Sequence, residues 1–276
     1  YWFDLSAMEI PGMVNNKGNE DGAVPVPDTS LSWVPFTYTG KINAYSRSSE
    51  GVSTNDNVEA CDHSLFIADH VLTHNVSWDE LNAKNMIFGT DYQSGGLDYT
   101  LRAPSAGSFS WAGSPESDDL SLPQSNEWTN ILYANEENSY IKNWKGMFSL
   151  GQDRYLGDTS ECILRGNWTD RSWYSIASSE KYMNAGFRPV LEVQDAETTG
   201  SAGLVEIDLN GGRIGGSADN VRIVVRSGGT FTAPTGYDLD APEECVTFGG
   251  WTGNGQTYKA GEAVPSDVDT LTARWK

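Results

Sequence analysis

Residues 162–193, CILRGNWTDRSWYSIASSEKYMNAGFRPVLEV, decide how the rest of the chain is read. Ile163 and Leu164 open the stretch and Val190, Leu191 and Val193 close it, so both ends read as short strands. The residues between them are rich in Trp, Tyr, Asn, Asp and Ser and show little period. That is the composition of a binding loop, in which rigid aromatics supply contact area and small polar groups supply adaptable hydrogen bonds. A polar–aromatic loop pinned by two buried strands implies a rigid scaffold presenting a recognition surface.

Arg165-Gly166 followed by Trp168, and then Gly186-Phe187-Arg188-Pro189-Val190, resemble the closing motif of the C-type lectin-like fold. The branch is the one shared by formylglycine-generating enzymes and the variable proteins of diversity-generating retroelements. Upstream, Phe66-Ile67, Val71-Leu72-Thr73 and Trp78 are similar to that branch's early strand-to-helix segment. The resemblance covers residues 1–193 and implies an α+β domain of mixed strands with two short helices. In the retroelement relatives the segment between the two closing motifs is the hypervariable one. Formylglycine-generating enzymes need a cysteine pair in this segment; none lies between Arg165 and Arg188, so their copper-dependent oxidase chemistry is not carried over. The Glu-Pro-Asn type calcium motif of sugar-binding C-type lectins is also missing.

Residues 204–276 have a different texture of short strands and glycine pairs. Asn210-Gly211-Gly212, Gly228, Pro234, Gly236-Tyr237, Gly250-Trp251 and the run Leu271–Trp275 resemble the Listeria–Bacteroides repeat, a β-grasp-like spacer module of bacterial surface proteins. The insert DLDAPEECV is longer and more acidic than that pattern, which implies a shortened helical part. The expected organisation is a C-type lectin-like ligand-binding domain over 1–195, a small-residue linker over 196–203 and the β-grasp-like module over 204–276.

Composition narrows the function. The net charge is −20, from 18 basic and 38 acidic residues, so nucleic acid and anionic lipid surfaces are repelled. No apolar run is long enough to suggest membrane insertion. Cys61, Cys162 and Cys245 match no zinc spacing; a Cys61–Cys162 bridge would leave one thiol over, and mostly unpaired thiols are expected. Opening at Tyr1 and closing on TLTARWK, the sequence reads as part of a longer chain.

Local signals place the elements. Ser77 and Glu80 have capping-box spacing ahead of a helix over 77–88, and Ser125 is the expected cap of a second over 125–135. His70 and His74 stand four apart, the spacing of two metal ligands on a helical face, although Leu65, Ile67 and Val71 suggest an extended strand there and no nearby Glu or Cys completes a set. Glu116, Asp118 and Asp119 could attract calcium but have no EF-hand spacing. Neither a nucleophile elbow nor a phosphate-binding glycine loop occurs.

The expectation is a binding unit with no cofactor, metal or catalytic residue. Its contact residues are Asn167, Trp168, Asp170, Arg171, Trp173, Tyr174, Ser175, Tyr182 and Asn184, types that dominate interface energy or adapt to a partner. Trp168, fixed in the motif, is expected to be buried, and adjacent Trp173 and Tyr174 to point one inward and one outward. Arg188 is expected to be structural. The resemblance implies an adhesin- or receptor-type unit at the bacterial cell surface, meeting a host or bacterial surface protein or glycan, with neighbouring repeats in its own chain. The alternatives are a metal-dependent enzyme using His70 and His74, or a ligand-free spacer.

Overall fold

A computed structural model describes residues 1–11, 33–42, 63–73, 75–110, 122, 124–132, 146–169, 172–193, 202–214, 217–235, 239–244 and 246–276. The first part contributes β1 (Trp2–Asp4), β2 (Trp33–Ile42), β3 (His63–Ala68), α1 (Trp78–Ala83), β4 (Thr90–Ser94), β5 (Leu97–Arg102), α2 (Glu127–Ile131), β6 (Phe148–Tyr155), β7 (Asp158–Gly166), β8 (Trp173–Ala177), β9 (Ala185–Gly186) and β10 (Val190–Val193). The second contributes β11 (Ala202–Asp208), β12 (Arg213–Ile214), β13 (Val221–Arg226), β14 (Thr230–Thr232), β15 (Leu239–Asp240), β16 (Phe248–Gly253), β17 (Gln256–Tyr258), β18 (Ala263–Pro265) and β19 (Thr270–Trp275).

The chain is therefore mostly β, which overturns the expected α+β class: strand accounts for 52% of the described residues and helix for 7%. Helix α1 has the capping box its spacing implies, with Ser77 Oγ accepting from Glu80 N and Glu80 Oε2 accepting from Ser77 N. It stops after six residues because Asn85 turns left-handed at φ 60. Helix α2 is five residues long, and its cap is Asn126 rather than Ser125, with Oδ1 accepting from Thr129 N at 2.8 Å. A cap signal starts a helix but does not set its length. The expected β-grasp-like module is likewise not shown, since no helix occurs among the described residues of 202–276. The strand order does not establish the C-type lectin-like fold.

Two sheets carry the first part. One runs β1-β2-β3-β10-β5-β4, with β10 antiparallel to both neighbours. All six residues of β3 and all four of β10 are buried, so both faces of the sheet's centre are covered. The other runs β8-β7-β6-β9. Gly186 lets it approach the 71–73 segment, because a Cβ there would lie 1.6 Å from the Thr73 carbonyl oxygen. Their common core includes Phe3, Phe36, Trp78, Leu150, Leu164 and Phe187. The second part is built on a sheet ordered β13-β11-β19-β16-β17, with β11 and β19 parallel. Its core centres on buried Trp251, whose Nε1 donates to the Pro234 carbonyl at 2.8 Å.

The parts touch. Trp33 of β2 packs into the second core, and Val224 of β13 into the first. The β4–β5 turn abuts β13: Arg226 N donates to Gly95 O at 2.7 Å and Arg226 Nε to Gly96 O at 2.7 Å.

Candidate functional site

The segment read as a binding loop contains the edge strand β8 and the short β9. Trp173-Tyr174-Ser175-Ile176-Ala177 shows no apolar–polar alternation because Trp173 packs on one face and Tyr174 and Ile176 on the other, so both parities carry apolar groups. Pairing puts Trp173 beside Arg165 and Tyr174 beside Leu164, on opposite faces. Trp173 is 3% exposed and packs with Ala106, Ile163 and Tyr155. Tyr174 is half-buried on the other face, stacked on Phe148 with ring centroids 5.8 Å apart. Trp173 is thus a core residue and leaves the contact set.

Phe148 organises what remains. It contacts Tyr174 and, at 6.2 Å between centroids, half-buried Tyr182. The start of its strand is held on both sides. Gly146 N donates to Asn167 O, and Phe148 N donates to Asn184 O at 2.7 Å. Asn167 adopts a left-handed backbone, φ 80, which turns the chain sharply after Gly166. With its amide oxygen toward the indole, Asn167 accepts from Trp168 Nε1 at 3.0 Å and donates to Gly146 O at 3.2 Å. Trp168 is thereby fixed with 55% of its surface exposed, contrary to the expected burial. Met183, between two predicted contact residues, is 63% exposed. The sequence reading missed it because an apolar Met suggests core; its only signal was its position between Tyr182 and Asn184.

Trp168, Tyr174, Tyr182, Met183, Asn167 and Asn184 therefore gather around the start of β6. Rings braced by Phe148 and by side-chain amide bonds lose little freedom when a partner covers them. Ser175 faces away from Phe148 and donates to Glu161 Oε2 at 2.5 Å. Nearby Lys181 and Glu80 form an exposed ion pair at 2.5 Å, and the Lys181 hydrogen bond is the main influence lowering the Glu80 carboxyl. Asp170 and Arg171 lie outside the described residues.

The motif arginines are scaffold. Arg165 is fully buried, donating from Nε to Ser172 O at 3.2 Å and from Nη1 to Ala106 O at 3.0 Å. Arg188 is fully buried, donating to Ser149 Oγ and to the carbonyls of Ala68 and Asp69. Burial lowers its guanidinium to about 10.

A second polar centre was not foreseen. Glu127, buried at the start of α2, accepts from Arg102 Nη2 (2.6 Å), Arg102 Nη1 (2.7 Å) and Ser105 N (2.9 Å) and pairs with His63 Nε2 (2.7 Å). Arg102 Nε donates to Glu192 at 2.8 Å. Burial, the largest single influence on Glu127, pushes its carboxyl up; Arg102 and His63 together outweigh it and hold the group at about 2. All four side chains are buried, so this network ties α2 to the centre of the six-stranded sheet.

For the metal alternative, His74 lies outside the described residues, and no three His, Cys, Asp or Glu among the described residues converge. Cys162 is a buried free thiol, pushed up to about 12 by burial; Cys61 and Cys245, and the acidic run at 116–119, lie outside the described residues.

No protein-family model matches the sequence, and no curated protein matches it. Among solved structures, Treponema denticola variable protein 1 is weakly similar, with 13% identity over 56% of this chain and 94% of that chain and a TM-score of 0.24. A score that low carries no structural argument.

Proposed function

We propose that the chain is a ligand-binding unit of adhesin or receptor type, displayed at the bacterial cell surface, whose recognition surface is the strip around the start of β6. One observation carries this reading: large apolar side chains stand open to solvent beside backbone that hydrogen bonds at Asn167 and Asn184 hold against the start of β6. Trp168 and Met183 are more than half exposed, and the Phe148-braced tyrosines lie in the same cluster. Exposed apolar side chains grouped this way mark interaction sites. The acidic surface favours a protein or glycan partner over nucleic acid or an anionic membrane. The likeness of the flanking motifs to retroelement variable proteins supports a further element, that strip positions differ between copies of the gene.

The test pairs Trp168→Ala with Met183→Ala and screens wild type and double variant on glycan and protein arrays. The expected outcome is a set of wild-type hits lost in a variant whose thermal unfolding is unchanged. Hits that survive the double variant, or no hits for wild type, would overturn the assignment. Sequencing the locus from several isolates checks diversification: substitutions should concentrate at Asn167, Trp168, Tyr174, Tyr182, Met183 and Asn184 and spare Trp173, Arg165 and Arg188.

A further inference from the structure

We infer that the outer edge of β8 docks an extended peptide in which basic residues alternate with apolar ones. The inference rests on the binding-unit reading and specifies the partner's chemical class.

Hydrogen-bond parity defines the edge. Gly166 N donates to Ser172 O and Ser178 N donates to Ser160 O, and both pairs belong to the register that sets Leu164 against Tyr174. The even-numbered residues of β8 therefore bond to β7, and the N–H groups of Trp173, Ser175 and Ala177 point away from it. Among the described residues β8 has no second strand neighbour. Among the described residues, those three N–H groups and the carbonyls of Trp173 and Ser175 have no partner; the Ala177 carbonyl accepts from Glu180 N at 2.9 Å. A row of alternating donors and acceptors of this kind is completed by another strand.

Other edges of the larger sheets are guarded. β1 carries Asp4, β4 carries Asp91, and β13 carries Arg222 and Arg226 and meets the Gly95 turn. β9 has two residues and β17 three. β8 has five, with no charge, no proline and no break in its register with β7. Natural sheets avoid leaving such an edge open.

The faces of β8 set the guest's pattern. A guest residue beside Tyr174 or Ile176 would continue an apolar face. One beside Ser175 or Ala177 lies on the face of Glu161, which sits on β7 about 10 Å away, two strand spacings, within reach of a Lys or Arg. Exposed Glu180 follows the strand, and the chain's charge of −20 favours a cationic guest.

The probe is the end-blocked peptide Lys-Val-Lys-Val-Lys, read by NMR amide exchange on the full chain. At saturating peptide the Ser175 and Ala177 amides should exchange at least tenfold more slowly, while those of Tyr174 and Ile176 are slow with or without it. Methylating alternate backbone nitrogens of the peptide, or replacing its lysines with glutamate, should abolish the protection. Ala177→Pro, which removes an outward N–H and leaves the β7 ladder intact, should weaken binding at least tenfold. No protection at Ser175 and Ala177, or equal protection by the methylated peptide, overturns the inference. If the Trp168/Met183 double variant loses array hits while the edge is never protected, the binding-unit reading stands and the peptide assignment falls.

Discussion

Residues 1–193 bury His63, Arg102, Glu127, Asp153, Arg165, Arg188 and Glu192, whereas the described residues of 202–276 bury no charged side chain at all. The second core is Val205, Ile207, Trp251, Leu271 and their apolar neighbours. The contrast follows from where backbone runs indoors. In the first part irregular segments cross between two sheets, and their polar groups need partners that no ladder supplies. Arg188 takes the carbonyls of Ala68 and Asp69, Arg165 those of Ala106 and Ser172, Glu127 takes Ser105 N, and Asp153 takes Ala106 N and Gly107 N. The buried charges fix irregular backbone in place, and the strip around Phe148 inherits that rigidity. The compact second sheet has short turns and needs no such groups.

The largest expected effect comes from breaking the charge network. Glu127→Gln keeps the shape but leaves Arg102 less than fully compensated in a buried site, and should cost about 3–5 kcal/mol in urea titrations. The same group gives the first part an acid sensitivity that the second lacks. The carboxyl titrates at 4.5 when unperturbed and at about 2 in the fold, so its stabilisation is fully present above 4.5 and drains away as pH falls towards 2. That component is on the order of 3 kcal/mol and should be missing from the Glu127→Gln titration. If wild type and variant lose stability in parallel over that window, the network is not the source of the difference between the two parts.

A smaller effect probes how the two parts are joined. Gly95 has φ +60, and a Cβ there would lie 2.0 Å from the Val224 carbonyl oxygen, so Gly95→Ala must push the β4–β5 turn off β13. The expected loss is about 1–3 kcal/mol, the range for strained backbone and overpacking. Limited proteolysis should cut the variant faster between residues 193 and 202. Cutting at the wild-type rate would show that the contact does not couple the parts.

Sequence carried some of this and not the rest, for definable reasons. β10 was legible because three of its four residues, Val190, Leu191 and Val193, are apolar and fit a buried strand, and the cap of α1 was legible because Ser77 and Glu80 have the spacing of a reciprocal hydrogen-bond pair. β8 was not, because a strand that packs large apolar groups on both faces, Trp173 on one and Tyr174 and Ile176 on the other, loses its alternation. The charge network joins Arg102 to Glu192 across 90 residues and His63 to Glu127 across 64, distances over which no local pattern operates. At the strip, residue types pointed to the right neighbourhood but not to the facing of each side chain. Trp168 was expected inside and stands out, and which of Trp173 and Tyr174 turns inward was left open, since exposure depends on register and on the turn at Asn167.

The smallest expected effect makes the contrast between Trp168 and Trp173 testable. Trp168→Ala removes an exposed indole whose one polar contact is with the Asn167 amide, and Asn167 still donates to Gly146 O. The backbone bond from Gly146 N to Asn167 O is untouched, so the turn should persist and stability should change by no more than about 0.5 kcal/mol. Trp173→Ala, five positions on, opens a cavity between Ile163, Ala106 and Tyr155 and should cost about 3–5 kcal/mol. Measured side by side by thermal and urea unfolding, the pair distinguishes a displayed ring from a packed one. Equal losses at both positions would mean that Trp168 supports the fold, and the strip would lose the member that most clearly marks it as a surface for a partner.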